Sequence, residues 1–374
     1  MNFDLTEEQQ IIVDNVQRFV NQNYSLDKRQ SYISGKGGFA ATNWQKMAEL
    51  GWLSLPFAEN DGGFGGNQID TMLVMEQFGR GLVVEPFLAS VVLGGGAVKR
   101  GGSDALKAEL IPAIIDGSAQ LALAYSEEQS RFDIADVLTR ADDKGDHFIV
   151  NGQKSMVING GTATHFVVSV RTSGAQDNEN GLTLLLIDAG TEGITRTGFP
   201  MVDGLQAAEI AFKDVRVEKA RVLGTVGQGY ALLNDVINDG ILAVSAEAVG
   251  AMEMLYKDTI EYTKERVQFD HPLSDFQVLQ HRMVEMFMEY EQCKSMLLRA
   301  TMEVAGAGQN AQRTVHALKA LIGKQAMFVG ENAVQLHGGM GMTEELRVGH
   351  YFKRLLVIDT MFGNGDHHLY KFAA

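Results

Sequence analysis

The spacing of apolar residues changes twice along this chain, and those two changes limit its fold more than any other feature. Up to about residue 118, apolar side chains return every three or four positions, the period of a helix with one buried face. From about 119 to 223 they alternate with polar ones, the period of a half-buried strand. From about 224 the helical period returns and holds to the end. A helix pattern does not sit still as a strand, so the three stretches predict three structural blocks. The expected fold is α+β and mostly helical. An N-terminal helical domain spans 1–118, a middle, mostly antiparallel β domain 119–223, and a C-terminal helical bundle 224–374.

Local signals agree with this division. Thr6 stands before Glu7 and Glu8, an N-cap followed by acids at the positive end of a helix dipole. Ile11, Val13, Val16, Phe19 and Val20 then form the apolar stripe. In "HFIVNGQKSMVI" the dipeptide Asn151-Gly152 suits a type I′ turn, which predicts two strands joined by a hairpin there. "HFVVSVRT", "LTLLLIDA" and "AAEIAFKDVRV" read as further strands. In the segment from Phe276 to Ala300, Phe276, Leu279, Met283, Met286, Tyr290, Cys293 and Leu297 fall on one helix face.

Composition narrows the function. The net charge of -15 opposes non-specific binding to nucleic acid, which needs a basic face. The single cysteine, Cys293, has no partner for an internal disulfide, and it sits on an apolar helix stripe as a small buried residue. The start "MNFDLTEEQQ" lacks the basic and apolar regions of a signal peptide, and no apolar run approaches the ~18 residues of a membrane span. A cytoplasmic protein without a membrane span is expected.

The most chemically dense stretch is "VIDTMFGNGDHHLY", residues 357–370. Asp359, Asp366, His367 and His368 invite a metal reading. Adjacent histidines diverge, however, and no His-x-x-x-His or Cys-x-x-Cys companion exists, so no metal site is expected. Asp366 reads instead as the N-cap of a short last helix, with both histidines in its first turn.

The block order, together with "ERVQF" (265–269) followed by "FQVLQ" (276–280), "QLHGGMGMTEE" (335–345) and "PFAENDGGFGG" (56–66), resembles the acyl-CoA dehydrogenase family across essentially the whole chain. The finer texture resembles the small-subunit type of pimeloyl-CoA dehydrogenase. The resemblance implies the acyl-CoA dehydrogenase fold, with the C-terminal block a four-helix bundle. It implies FAD as cofactor, an acyl-CoA thioester as substrate, an electron-transfer flavoprotein as electron partner, and an oligomer, homomeric or with a second dehydrogenase subunit. It also implies site residues whose chemistry fits. Arg266 offers a fork of donors to the FAD pyrophosphate. Phe269 packs on the flavin or adenine side, and Gln277 brings an amide that donates and accepts. Gln335, Gly338 and Gly339 end a helix in a turn where backbone approaches phosphate closely. Ser126 keeps a hydroxyl at the start of the loop that touches flavin and substrate.

The family's reaction takes an α-proton with a carboxylate while the β-hydrogen leaves as hydride to the flavin N5. Two departures bear on this. Phe362 stands where many relatives carry the catalytic glutamate. Where others place the base on the first long helix of the bundle, counting back from Gly250 lands on Gly240, so its neighbour Asp239 is the candidate base. Ile158 stands where relatives place a flavin-contacting threonine, and "YSEEQSRFD" lacks the glycines of the usual loop. Two readings follow: a catalytic dehydrogenase using Asp239 or another acid, or a non-catalytic subunit that contributes half of an FAD site.

Overall fold

A computed structural model describes residues 5–374. Helices α1 (Glu7–Asn23), α2 (Leu26–Ser34), α3 (Ala41–Glu49) and α4 (Gln68–Gly81) come first. A π-helix (Leu88–Gly95) runs into α5 (Gly96–Gly101), and α6 (Asp104–Ile115) follows. The middle of the chain forms β1 (Leu121–Ala124), β2 (Arg140–Asp143), β3 (His147–Ile158), β4 (His165–Arg171), β5 (Leu182–Asp188), β6 (Ile194–Pro200), β7 (Gln206–Glu218) and β8 (Val222–Leu223). The C-terminal part holds α7 (Gly229–Glu265), a ribbon of β9 (Val267–Gln268) and β10 (His271–Pro272), then α8 (Gln277–Ala305), α9 (Ala311–His337), α10 (Arg347–Thr360) and α11 (Gly365–Ala373). No described helix is long and apolar enough to cross a membrane.

The described chain packs as two compact units that do not follow chain order. One takes the chain up to Tyr32, Gln68–Val83 and Ile241–Ala374; the other takes Ile33–Asn67 and Val84–Gly240. The helical unit is built on the stripes read from sequence. Met283, Met286, Tyr290, Cys293 and Leu297 of α8 are all buried. Burial pushes the Cys293 thiol up to about 12, so it packs as an apolar residue. Thr6 caps α1 in a reciprocal box with Gln9, whose side chain returns to the Thr6 backbone.

In the other unit an eight-stranded sheet runs β6-β7-β3-β2-β4-β5-β8, with β1 pairing parallel to β4. The neighbouring pairs along that order are antiparallel apart from a parallel bridge between β2 and β4. One buried face carries Phe148, Val150, Phe166, Val168, Val170, Ile210 and Phe212.

The structure corrects the hairpin expected at Asn151-Gly152. β3 passes straight through both residues as one strand, with a bulge against β7 between Val150 and Gly152. Glycine is needed there for space, because a Cβ would lie 2.6 Å from the Thr139 Cα. The turn with two left-handed residues occurs elsewhere, at Phe269 (φ 55) and Asp270 (φ 63), between β9 and β10. That is the backbone of a type I′ turn built without glycine or asparagine.

Candidate functional site

Six of the residues singled out from sequence converge in the helical unit. Arg266 follows the last residue of α7, and its carbonyl accepts from the Leu273 N–H at 2.8 Å. That bond closes the β9–β10 ribbon and puts Phe269 at its tip, 85% exposed, with its ring edge-on to Phe276 at 6.4 Å. Gln277 opens α8 immediately after. One turn before Arg266, Tyr262 stacks on His337 at 4.2 Å and donates to its carbonyl at 3.3 Å. This contact brings Gln335, Gly338 and Gly339, at the end of α9, to the same end of the bundle.

The cluster is rich in uncommitted donors. Arg266, Gln277 and Gln335 are exposed, and their side chains have no hydrogen bond or ion pair among the described residues. Gly338 takes φ 59 and ψ -142, a backbone state that glycine alone tolerates. A Cβ on Gly338 or Gly339 would meet nothing within 4 Å, so this backbone lies bare. A guanidinium, two amides and naked backbone, in a chain of net charge -15, suit an anion with several acceptors. The residues present therefore fit a pyrophosphate-bearing cofactor.

A cavity of about 590 Å³ opens in the same unit between α9 and α11. Leu321, Met327, Leu369 and Phe372 form its apolar wall, and Lys324 and Asn364 supply polar groups. The size and mix are those of a small-molecule site. Asn364, rather than Asp366, caps α11, accepting from the His367 N–H at 3.0 Å. Asp366 lies one position inside the helix, where it favours the positive dipole end. His368 is buried and turned inward.

Ser126 and Asp239 belong to the sheet-containing unit. Ser126 accepts from the Ser155 N–H at 2.9 Å, beside a second bulge in β3. There Met156 adopts φ 54 and stands 52% exposed, while Ile158 is half-buried. The loop after Ser126 is built on a buried ion pair that the sequence did not announce. Glu127 accepts from Lys154 Nζ at 2.7 Å, from the Thr139 N–H at 3.0 Å and from the Leu138 N–H at 2.8 Å. Lys154 also donates to Ser169 at 3.0 Å and to the Tyr125 carbonyl at 3.2 Å. These bonds give the loop after Ser126 a polar anchor.

Burial pushes the Glu127 carboxyl up, but the Lys154 charge and the bonds from Lys154, Gln129 and Thr139 overcome it and hold the group at about 2. A depressed folded value stabilises the fold above the unfolded value of 4.5, and that contribution fades as pH falls from about 4.5 towards 2. Glu127→Gln is expected to flatten the slope of urea stability against pH in that window. An unchanged slope would show that Glu127 is not held as an anion.

Asp239 lies near the start of α7, and its carboxylate meets Arg100 of α5 at 2.6 Å with 13% of its side chain exposed. Asp235, one turn earlier, is exposed. No group of three or more potential metal ligands occurs among the described residues.

Helices, an eight-stranded sheet and a C-terminal bundle with an exposed donor set suited to a pyrophosphate fit an enzyme that binds a nucleotide cofactor. The chain matches the acyl-CoA dehydrogenase N-terminal domain over residues 6–118, the middle domain over 122–215 and the C-terminal domain over 227–373. It belongs to the acyl-CoA dehydrogenase family, and its cofactor is FAD. A probable acyl-CoA dehydrogenase of Bacillus subtilis, YngJ, is 29% identical over 354 residues, 93% of this chain and 92% of that protein. Butyryl-CoA dehydrogenase from Megasphaera elsdenii superposes with a TM-score of 0.92 at 25% identity, covering 100% of this chain and 99% of that one. The FAD complex of PigA gives 0.92 at 26% identity, covering 100% and 98%.

Proposed function

We propose that this protein oxidises an acyl-CoA thioester to its trans-2-enoyl form, with Asp239 taking the α-proton. FAD, when bound, accepts the β-hydrogen as hydride at N5. The observation that supports this reading is the state of Asp239. It is a largely buried carboxylate, one residue from where helix-borne bases of the family stand, and Arg100 touches it at 2.6 Å. That contact fixes where the carboxylate stands, and a base must be held in place to meet the α-proton. Arg266, Gln277 and Gln335 would hold the pyrophosphate, Gly338 and Gly339 would let backbone approach it, and Phe269 would pack on the flavin or adenine side. Ser126 is proposed, from the resemblance, as a further cofactor contact.

The resemblance to the pimeloyl-CoA type makes a dicarboxylic acyl thioester the first substrate to test. An electron-transfer flavoprotein is the proposed reoxidant, and the proposed organisation keeps the three blocks 1–118, 119–223 and 224–374. The test is the visible spectrum of protein expressed alone. Yellow protein whose flavin band bleaches anaerobically with pimeloyl-CoA or another member of an acyl-CoA series is the expected result. Colourless protein that gains activity only when co-expressed with a second dehydrogenase chain would establish the non-catalytic subunit instead.

A further inference from the structure

The turn that carries Phe362 is held by more buried machinery than a helix connection needs. Phe362 adopts φ 59, a left-handed state costly for an aromatic residue, and Gly363 follows at φ 106. Two buried side chains, Lys319 and His368, then hold three carbonyls of this turn. Lys319 of α9 is fully buried and donates to the Asp359 carbonyl and the Gly363 carbonyl, each at 2.8 Å. His368 of α11 places Nε2 2.9 Å from the Phe362 carbonyl. A carbonyl only accepts, so Nε2 carries the proton. His368 is neutral, because burial first, then Lys319 and His316, pull it down to about 3. Its Nδ1 is therefore the acceptor of the 2.9 Å contact from His316 Nδ1. On the far side of the turn Asp359 Oδ1 accepts from the Gly365 N–H at 3.1 Å.

Lys319 is an expensive way to satisfy two carbonyls. No carboxylate lies within ion-pair distance of it among the described residues, and burial draws its ammonium down to about 8. A methionine would fill the same space without desolvating a charge. What a methionine cannot do is hold two carbonyls in a left-handed turn. The same turn leads into Asn364 and Gly365, which line the 590 Å³ cavity.

We propose that Lys319 and His368 are positioning residues: they clamp the carbonyls of Asp359, Phe362 and Gly363, impose the left-handed backbone at Phe362, and so set the Asn364–Gly365 rim against which FAD is bound. The inference rests on the reading of this chain as an FAD enzyme, and it assigns no chemical step to either residue. It makes the dependence on Lys319 a consequence of the side chain at 362. Glycine takes a positive φ without penalty, so a chain with glycine there no longer needs the clamp.

The experiment measures FAD affinity by flavin fluorescence and amide exchange across residues 359–368, in the parent, Lys319→Met, Phe362→Gly and the double variant. Lys319→Met is expected to weaken FAD about tenfold and to speed exchange in the turn by a similar factor, the scale set by losing the donors that offset a left-handed residue. In the Phe362→Gly background the same change is expected to cost less than about threefold, because the backbone needs no holding there. Phe362→Val, which keeps Lys319 but cannot adopt the turn, is expected to mimic Lys319→Met, so the idea stays testable if Lys319→Met fails to fold. Equal loss with and without Phe362→Gly overturns the proposal, as does Lys319→Met with unchanged affinity and exchange. A parent protein that binds no FAD at all would overturn the functional reading and is seen before any variant is made.

Discussion

Asp239→Asn is expected to slow flavin bleaching by acyl-CoA about 10²–10⁴-fold, the range general acid–base catalysis supplies, while FAD content and the resting spectrum stay unchanged. Asparagine keeps the size of aspartate and can still accept from Arg100, so the change removes proton affinity and little else. At the two positions that the resemblance matches to the family's usual bases this chain has Phe362 and Gly240, neither of them an acid. Neighbouring residues on a helix differ by about 100°, so a base at 239 reaches from a different face and with a shorter arm than a glutamate at 240 would. The Arg100 contact of 2.6 Å accounts for how such an arm is held. Arg100→Met is expected to give a milder loss with a signature of its own. The carboxylate loses the contact that fixes its place, so Arg100→Met is expected to slow bleaching less than Asp239→Asn and to add little once residue 239 is already asparagine. Bleaching at the parent rate in Asp239→Asn would end the assignment.

The sequence carried the architecture because architecture is written in periods. The three blocks, the buried face of α8 and the cap at Thr6 are local patterns, and each was readable without knowing what it touches. The proposed cofactor residues, Arg266, Phe269, Gln277 and the Gln335–Gly339 segment, lie in short motifs that a resemblance can carry, and the structure brings them to one end of the bundle. What escaped depends on distant partners. β1 and β2 are only four residues long, and β6 is exposed along most of its length, so no alternation of apolar and polar residues marks them. Asn151-Gly152 has the composition of a hairpin turn, but the approach of Thr139 made it a bulge, and the true turn fell on Phe269-Asp270. Lys154 and Lys319 look like surface lysines in sequence, yet both are fully buried, one on Glu127 across 27 positions and the other on carbonyls 40 and 44 positions away. No period marks a charge that is buried to position a loop.

The largest loss of stability is expected from breaking Glu247–Arg354. Glu247 of α7 and Arg354 of α10 form a bidentate pair, Nε to Oε1 at 2.6 Å and Nη2 to Oε2 at 2.7 Å, with side-chain exposures of 5% and 3%. In water the two ions would each be hydrated, so the pair as a whole contributes little net stability. Removing one member is different, because the other stays in the core without its counter-charge. Glu247→Ala is expected to lower the unfolding free energy by about 3–5 kcal/mol. Glu247→Leu with Arg354→Met replaces both ions by apolar groups and is expected to recover most of that loss, to within about 1 kcal/mol of the parent. Urea unfolding of the singles and the double gives the coupling directly. The pair also has a consequence for the site. Arg354 lies on the helix that ends in Asp359 and Thr360, so it fixes the register in which α10 delivers the Asp359 carbonyl to Lys319. The double variant separates the two roles. Recovered stability with weakened FAD binding would mean that the ion pair is kept for where it puts the turn. Recovery of both would mean that any well-packed pair of side chains can hold α10 in place.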